Sequence, residues 1–172
     1  MAITLPTEAM TQLFNAVPAN DLPVLPNYNV CPTDKIHAIV SDENTRHIKA
    51  MRWGFLPNWY KSMTDGPLLI NARSETIDKK PAFHDACRHR RCLIPADGFY
   101  EWARKGEEKP TPYRVTRADK QPMAMAGVWQ NWEVGGQVIT SCAIVTTAAN
   151  TKMQKIHHRL PVILAPEDWP LW

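Results

Sequence analysis

Two long apolar stretches separated by a Gly-Gly turn constrain this chain more than any other feature. Residues 123–133 and 138–147 read as β-strands, and Gly135-Gly136 lies between them. So short a connection can only return the chain antiparallel, because a parallel return needs a crossover of a dozen residues or more. Residues 36–40 and 47–53, joined by a polar turn over 41–45, make a second plausible hairpin. Residues 113–117 alternate as a strand does, and 162–164 make a last short one. Fifteen Pro against seven Gly suit short strands and rigid turns. Helical signals are few. Thr7 can cap a short helix whose Met10, Leu13, Phe14 and Val17 recur at helical spacing. Residues 77–89 read as a helix with a basic end, residues 150–159 as helix-like or a polar loop, and Pro166 as a helix start. Residues 18–26 are a Pro-rich connector, and residues 103–110 a charged, solvated hairpin loop.

A chain of 172 residues is long enough for one domain with a real core. Its 44% hydrophobic and 22% charged fractions are ordinary for a soluble globular protein. It has no apolar run able to span a membrane and no visible signal peptide. A cytoplasmic, membrane-free monomer is the expectation. The net charge of +3 permits an anionic partner without demanding one. Cys31, Cys87, Cys92 and Cys142 form no CxxC pair, so free and mostly buried thiols are expected. His84, Cys87, His89 and Cys92 are metal-ligand types at close spacing, but they lack the paired knuckles of structural zinc sites. Neither metal nor cofactor is expected. No Ser/His/Asp set stands out.

The chemistry-bearing residues fall in short segments. In the stretch from Cys92 to Trp102, an apolar entry meets the turn-prone Ala96-Asp97-Gly98 and leaves as Phe99-Tyr100-Glu101-Trp102. Strand alternation puts Phe99 and Glu101 on one face and Tyr100 and Trp102 on the other. A carboxylate wedged between aromatics is desolvated unless partnered, which raises its pKa and suits it to proton transfer; it could equally be a surface Glu at a strand end. Trp59-Tyr60-Lys61 interleaves aromatics with a cation, as base stacking on single strands requires, or else packs under a loop. Trp53 reads as core. An apolar Leu68-Leu69-Ile70 switches to Asn71-Ala72-Arg73-Ser74-Glu75. Asn71 could orient a reacting group and Arg73 hold a phosphate, or the two could be a turn residue and half of an ion pair with Glu75. Of the adjacent His157 and His158, one can face a site while the other faces solvent.

Four segments then fit as a set: Asn27-Tyr28-Asn29-Val30-x-Pro32, Leu69-Ile70-Asn71-Ala72-Arg73-x-Glu75-Thr76, Ala96 to Trp102, and Ile156-His157-x-Arg159-x-Pro161. In this order, with Trp53-Gly54 between the first two, they resemble the SOS response-associated peptidase (SRAP) family of abasic-site processing proteins. The match covers nearly the whole chain. The resemblance implies an α+β fold around an antiparallel, barrel-like sheet with a few peripheral helices, forming one domain over residues 1–172. It implies a basic cleft for single-stranded DNA carrying an abasic site, met in the DNA-damage (SOS) response. The family's cysteine, which follows the initiator Met, forms a Schiff base with the sugar aldehyde through its amine. Its thiol then closes a thiazolidine, giving a covalent protein–DNA crosslink by lyase-like chemistry; autoproteolytic removal of the Met is also attributed to the family. Carried over, Asn71 would position the sugar or amine, Glu101 would be general acid/base, and His157 would shuttle protons. Arg73 and Arg159 would bind phosphates, Asn29 would border the DNA, and Trp59, with Tyr60, would stack on bases.

This sequence departs from the family pattern at both ends. A Cys-Gly-Arg-aromatic segment is expected between Met1 and Ala2, and family members continue past the helix that begins near Pro166. The expectation is a chain truncated at both ends and inactive in the covalent step as written. The alternative is a non-covalent single-stranded DNA-binding module. Cys31 is expected to be a buried structural thiol.

Overall fold

The computed structural model describes residues 1–103 and 109–172; most of the charged loop expected over 103–110 lies outside the described residues. The elements run α1 (Thr7–Phe14), β1 (Ala16–Pro18), β2 (Lys35–Asp42), β3 (Thr45–Trp53), β4 (Asn71–Arg73), α2 (His84–His89), β5 (Arg91–Ala96), β6 (Phe99–Ala103), β7 (Thr111–Val115), β8 (Met123–Val134), β9 (Gln137–Ala148), β10 (Arg159–Pro161) and β11 (Ile163–Leu164). Short 3-10 turns cover Met153–Lys155 and Pro166–Asp168. The fold is α+β. No helix among the described residues is long and apolar enough to cross a membrane.

Five strands close a barrel in the order β3-β2-β5-β8-β9, with β9 returning to β3. Four joints are antiparallel; the closing joint, Arg52 beside Ser141 and Trp53 beside Cys142, is parallel. The β8–β9 hairpin turns at Gly135 and Gly136, both with positive φ, which glycine alone adopts without strain. These two strands are buried on both faces. Cys142 and Ile144 enter one core cluster with Met51, Met125 and Ile94, while Ala143 and Val145 enter another with Phe55, Phe83 and Val128. Two buried faces explain why their sequence is almost continuously apolar rather than alternating.

The helical expectations hold only in part. α1 forms, but Pro6 is its N-cap and Thr7 its first residue, with no side-chain cap bond. Met10 and Phe14 are buried, whereas Leu13 and Val17 are exposed. The helix expected over 77–89 shrinks to α2. Pro81 lacks an N–H and disfavours a helical residue before it, so the chain crosses 76–83 in turns such as Lys79 N–H to Thr76 O and Phe83 N–H to Lys80 O. Residues 150–159 give one 3-10 turn and then β10, not a helix.

β9 outruns its barrel neighbours, and that creates the site. Its pairing with β8 stops at Ile144 and with β3 at Cys142. Beyond, β4 takes over one edge (Asn71 beside Ile144, Arg73 beside Thr146) and β10 the other (Arg159 beside Ala148, Pro161 beside Thr146). Two three-residue strands thus flank the last turn of β9. The separate ribbon β6–β7 follows β5 at the same end of the barrel.

Candidate active site

A cleft of about 460 Å³ opens there. Its floor is apolar: Met1, Trp53, Ile70, Phe99, Met125 and Ile144. Its walls are polar. Asn71 and Arg73 come from β4, Tyr100, Glu101 and Trp102 from β6, Thr146 from β9, and His157 and Arg159 from the segment entering β10. The structure therefore gathers five of the seven sequence-predicted site residues, from positions 71 to 159, into one cavity.

Each is placed by local structure. Asn71 is the first residue of β4 and exposed; the apolar run before it ends because Ile70 is its last contact with the core. On β6, Phe99 and Ala103 are buried, Glu101 is half-buried, and Trp102 is exposed, in keeping with alternation. Glu101 does find a partner. Its Oε1 lies 3.9 Å from Nδ1 of His157, with about a quarter of the Glu101 side chain and a third of the His157 side chain exposed. His157 Nδ1 also meets both backbone groups of Arg159, the N–H at 3.1 Å and the C=O at 3.0 Å. His158 stacks obliquely against His157 with ring centroids 4.4 Å apart, and it is His157 that lines the cleft.

The two arginines differ sharply. Arg73 is exposed, its side chain has no hydrogen-bond partner among the described residues, and the alternative Arg73–Glu75 ion pair does not form. Glu75 instead takes a two-pronged bond from Arg159, both N–O distances 2.9 Å. Arg159 also donates to Thr146 O at 2.7 Å and lies 3.1 Å from Thr146 Oγ1. The guanidinium holds the Glu75 carboxyl down to about 2, below the usual carboxylate range. Thr146 had no role in the sequence reading, and Glu75 appeared there only as a partner for Arg73. The only signal was the presence of Glu75 two residues after Arg73, and it pointed to the wrong arginine.

Asn29 and Trp59 stand outside this cavity. Asn29 is exposed on the loop before β2, its N–H bonded to Asn27 Oδ1 at 2.9 Å. That loop is tied to the cleft wall by Tyr100, whose hydroxyl donates to Tyr28 O at 2.8 Å. Trp59 is 57% exposed and lines an adjoining hollow of about 360 Å³ that shares Asn71 and Arg73 with the cleft. Tyr60, expected to stack beside it, is 7% exposed and packs with Leu56 and Trp132; it is core. Trp53 is core as expected, its indole N–H donating to Ile70 O at 3.0 Å.

Cys87, Cys92 and Cys142 are buried, and burial pushes the Cys142 thiol up to about 12. Cys31, expected to be buried, is exposed, with Sγ 3.4 Å from Asn29 O. Its segment is held by Asp34, which accepts the Cys31 N–H, rather than by packing of the thiol. Among the described residues no three His, Cys, Asp or Glu side chains converge as metal ligands would. Met1 is buried, and its α-amine donates to Val30 O at 2.9 Å. Thr4 anchors the same segment to the β5–β6 turn, its hydroxyl 2.9 Å from Asp97 Oδ2.

Chemically the cleft offers a carboxylate and an imidazole 3.9 Å apart, a carboxamide, an unengaged cation and an apolar floor. Such a set suits an uncharged carbon centre attached to an anionic strand. Comparisons with known proteins bear on the fold and the family. A crystal structure of a Bordetella bronchiseptica protein superposes with a TM-score of 0.85 at 27% identity, over 99% of this chain and 85% of that one. A Bacteroides thetaiotaomicron structure gives 0.77 at 28% identity, over 84% and 66%. The abasic site processing protein YoaM of Bacillus subtilis is 40% identical over 86% of this chain, and YedK of Escherichia coli 35% over 84%. This chain spans 65% of the former and 63% of the latter. The profile described as SOS response associated peptidase (SRAP) matches residues 1–172, and the chain belongs to that family.

Proposed function

We propose that the cleft takes the ring-opened sugar of an abasic site in single-stranded DNA and carries out the proton transfers of a Schiff-base crosslink. The observation that carries this reading is the convergence of Asn71, Glu101 and His157 on one cavity beside Arg73. An amine attacks the C1′ aldehyde carbon, giving a carbinolamine. Glu101 or His157 accepts the amine proton and returns a proton to the departing hydroxyl, so that water leaves and the imine forms. The Glu101–His157 separation of 3.9 Å is longer than a hydrogen bond and would have to tighten on substrate binding for the two to share that proton, while the Asn71 amide can both donate and accept at the sugar. Attack of a neighbouring thiol on the imine carbon, with the thiol proton passing to nitrogen, closes a thiazolidine. Met1 lines the cleft floor, so the point at which the family's cysteine segment would join the chain already lies at the site.

Arg73 is the cation available to a phosphate, and Trp59, across the adjoining hollow, offers an exposed face to a neighbouring base. Asn29 lies on the loop that Tyr100 ties to the cleft, and its proposed role is to border the DNA strand rather than to act at the reacting carbon.

The test is a denaturing gel. The 172-residue chain, and one with Cys-Gly-Arg-Phe inserted after Met1, are incubated with single-stranded DNA bearing one abasic site. A heat-stable adduct from the chain carrying the insert supports the reading. An adduct from both shifts the nucleophile to Cys31 or an amine of the chain as written. No adduct from either overturns the covalent reading and leaves a cleft that binds single-stranded DNA without reacting, seen as salt-sensitive binding indifferent to the aldehyde.

A further inference from the structure

We infer that Asp97 is a positioning residue whose carboxylate pins the register of the N-terminal segment at Thr4 and so sets which residue of that segment enters the cleft. Residues 1–4 run extended between the loop over 27–30 on one side and the β5–β6 turn on the other. The two sides are used alternately. Met1 exchanges two bonds with Val30, its α-amine donating to Val30 O at 2.9 Å and its C=O accepting the Val30 N–H at 2.8 Å. Ala2 donates to Gly98 O and accepts the Asp97 N–H, both at 2.9 Å. Ile3 exchanges two bonds with Asn27, both at 2.8 Å. Thr4 differs, because its partner is a side chain. Its N–H and its hydroxyl both donate to Asp97 Oδ2, the hydroxyl at 2.9 Å.

Backbone bonds alone do not choose a register, since every residue but proline offers the same N–H and C=O. Yet a slip of one residue turns each side chain to the opposite face. Burial chooses poorly here, because Met1, Ala2 and Ile3 are all buried. Thr4 is the one residue among positions 1–6 whose side chain can donate a hydrogen bond. A carboxylate that takes both of its donors therefore selects a single register. Asp97 holds the segment at two points, through its own N–H at Ala2 and through its carboxylate at Thr4. The same turn leads into β6, which carries Glu101. The N-terminal segment and the cleft carboxylate thus share one anchor. In this register Met1 lines the cleft floor, and the residue before Ala2 is the one delivered there. A reacting group joined to that point keeps its distance to the cleft only while the register holds.

The pin itself is a property of the folded chain; its consequence for crosslinking rests on the function proposed above. Two readouts separate them. The first is amide hydrogen exchange of the 172-residue chain. Thr4→Val should lower the protection of the Ala2 and Ile3 N–H groups about fivefold, the equivalent of one hydrogen bond, and Asp97→Ala should lower it further. The Ala126 N–H, bonded to Val162 O at 2.8 Å on the barrel wall, should keep its protection. Thr4→Ser, which retains both donors, should match the parent. Thr4→Val and Thr4→Ser carry this test without touching the β5–β6 turn. The second readout is the first-order crosslinking rate at saturating abasic single-stranded DNA, in the chain with Cys-Gly-Arg-Phe inserted after Met1. Asp97→Ala should lower that rate about 10- to 100-fold and leave the half-saturating DNA concentration unchanged, a split that general loss of fold does not give. Unchanged protection at Ala2 and Ile3, or an equal fall at Ala126, overturns the pin. Selective loosening with an unaltered crosslinking rate overturns its positioning role. If protection falls selectively while even the parent with the insert forms no adduct, the pin stands and the proposed function falls.

Discussion

His37 and His157 show two opposite treatments of the same side chain. His37 lies on β2 opposite Ala50 in the barrel wall, 1% exposed, and neither ring nitrogen has a partner among the described residues. Burial pushes its pKa down to about 4. The wall keeps a polar ring only as a neutral, space-filling group. His157 lies where the sheet has thinned to three-residue strands, beside a carboxylate and against a peptide that serves Nδ1 in either charge state. The barrel suppresses protonation by withholding partners; the cleft supplies His157 with them. His37 is fixed inside a strand, whereas His157 lies between a 3-10 turn and β10, where the chain leaves its ring open to the cleft.

The sharpest way to break this comparison is to remove the carboxylate. In the chain with Cys-Gly-Arg-Phe inserted, Glu101→Gln keeps the shape and removes the charge and the proton acceptor. Crosslinking to abasic DNA should slow by about 10²- to 10⁴-fold, the usual weight of general acid–base catalysis, while binding of intact single strands is retained. An unchanged rate, read by quench-flow and gel, would mean that His157 works without Glu101.

The next largest effect belongs to His37 and to stability. Its folded pKa of about 4 lies below the ordinary 6.5. Between these values the unfolded chain binds a proton that the folded chain refuses, so stability falls as the pH drops from about 6.5 towards 4. The full loss is about 3 kcal/mol. Glu75 and Asp119, both held down to about 2 by arginine partners, act in the other window: their support is present above the usual carboxylate range and is lost as the pH falls from about 4 towards 2. Urea titrations at about pH 7, about pH 4.5 and about pH 2 separate them. His37→Leu should flatten the upper window and leave the lower one alone. A variant that stays as acid-sensitive above pH 4.5 as the parent would show that His37 is not what the wall protects.

The same wall that tolerates an unpartnered ring should resist added volume. Gly127 pairs with Cys92, and a Cβ built on it would come within 2.8 Å of both Cys92 Sγ and Ile94 Cδ1. Gly127→Ala is expected to cost about 1–3 kcal/mol by overpacking. Ile94→Val in the same chain should recover part of that loss, because it removes the methyl group nearest the clash. Equal midpoints for Gly127→Ala and parent would show that the barrel relaxes more than its packing suggests.

The two regions were also unequally legible in the sequence. The barrel strands announced themselves: the Gly-Gly hairpin and the 36–53 hairpin appear as β8–β9 and β2–β3 with ends extended by at most two residues. Long apolar stretches are decided by burial, which composition reports directly. The parallel β3–β9 closure was invisible, since it joins residues about ninety positions apart and leaves no local pattern. At the cleft, residue types were legible but partnerships were not. Asn71, Glu101 and His157 each stand in a segment whose chemistry suggested a role, and the fold brings all three to one cavity. Glu75 looked like the partner of the nearer Arg73, yet β10 lays Arg159 beside Thr146 and across to Glu75. Sequence proximity favoured Arg73; the three-strand end of the sheet favoured Arg159. Tyr60 failed for a related reason: its hydroxyl reaches Pro67 O at 3.2 Å, so a ring read as a stacking surface is a pillar under the loop.

The smallest effect tests whether the two arginines of the cleft divide their work as their contacts imply. Arg73 is exposed and its side chain makes no hydrogen bond among the described residues, so truncating it removes a charge without breaking the fold. Arg73→Ala should leave the urea midpoint where it was and weaken single-stranded DNA binding about equally for all sequences. The slope of log affinity against log salt should fall by about 0.7, one phosphate contact on a single strand. Arg159→Ala should do the reverse: it strands Glu75 and frees β10, lowering the midpoint, with a smaller change in salt slope because its charge is already neutralised by a carboxylate. If Arg73→Ala lowers the midpoint and Arg159→Ala lowers the slope, the phosphate contact belongs to Arg159, and the carboxylate of Glu75 is then a placeholder that the DNA displaces.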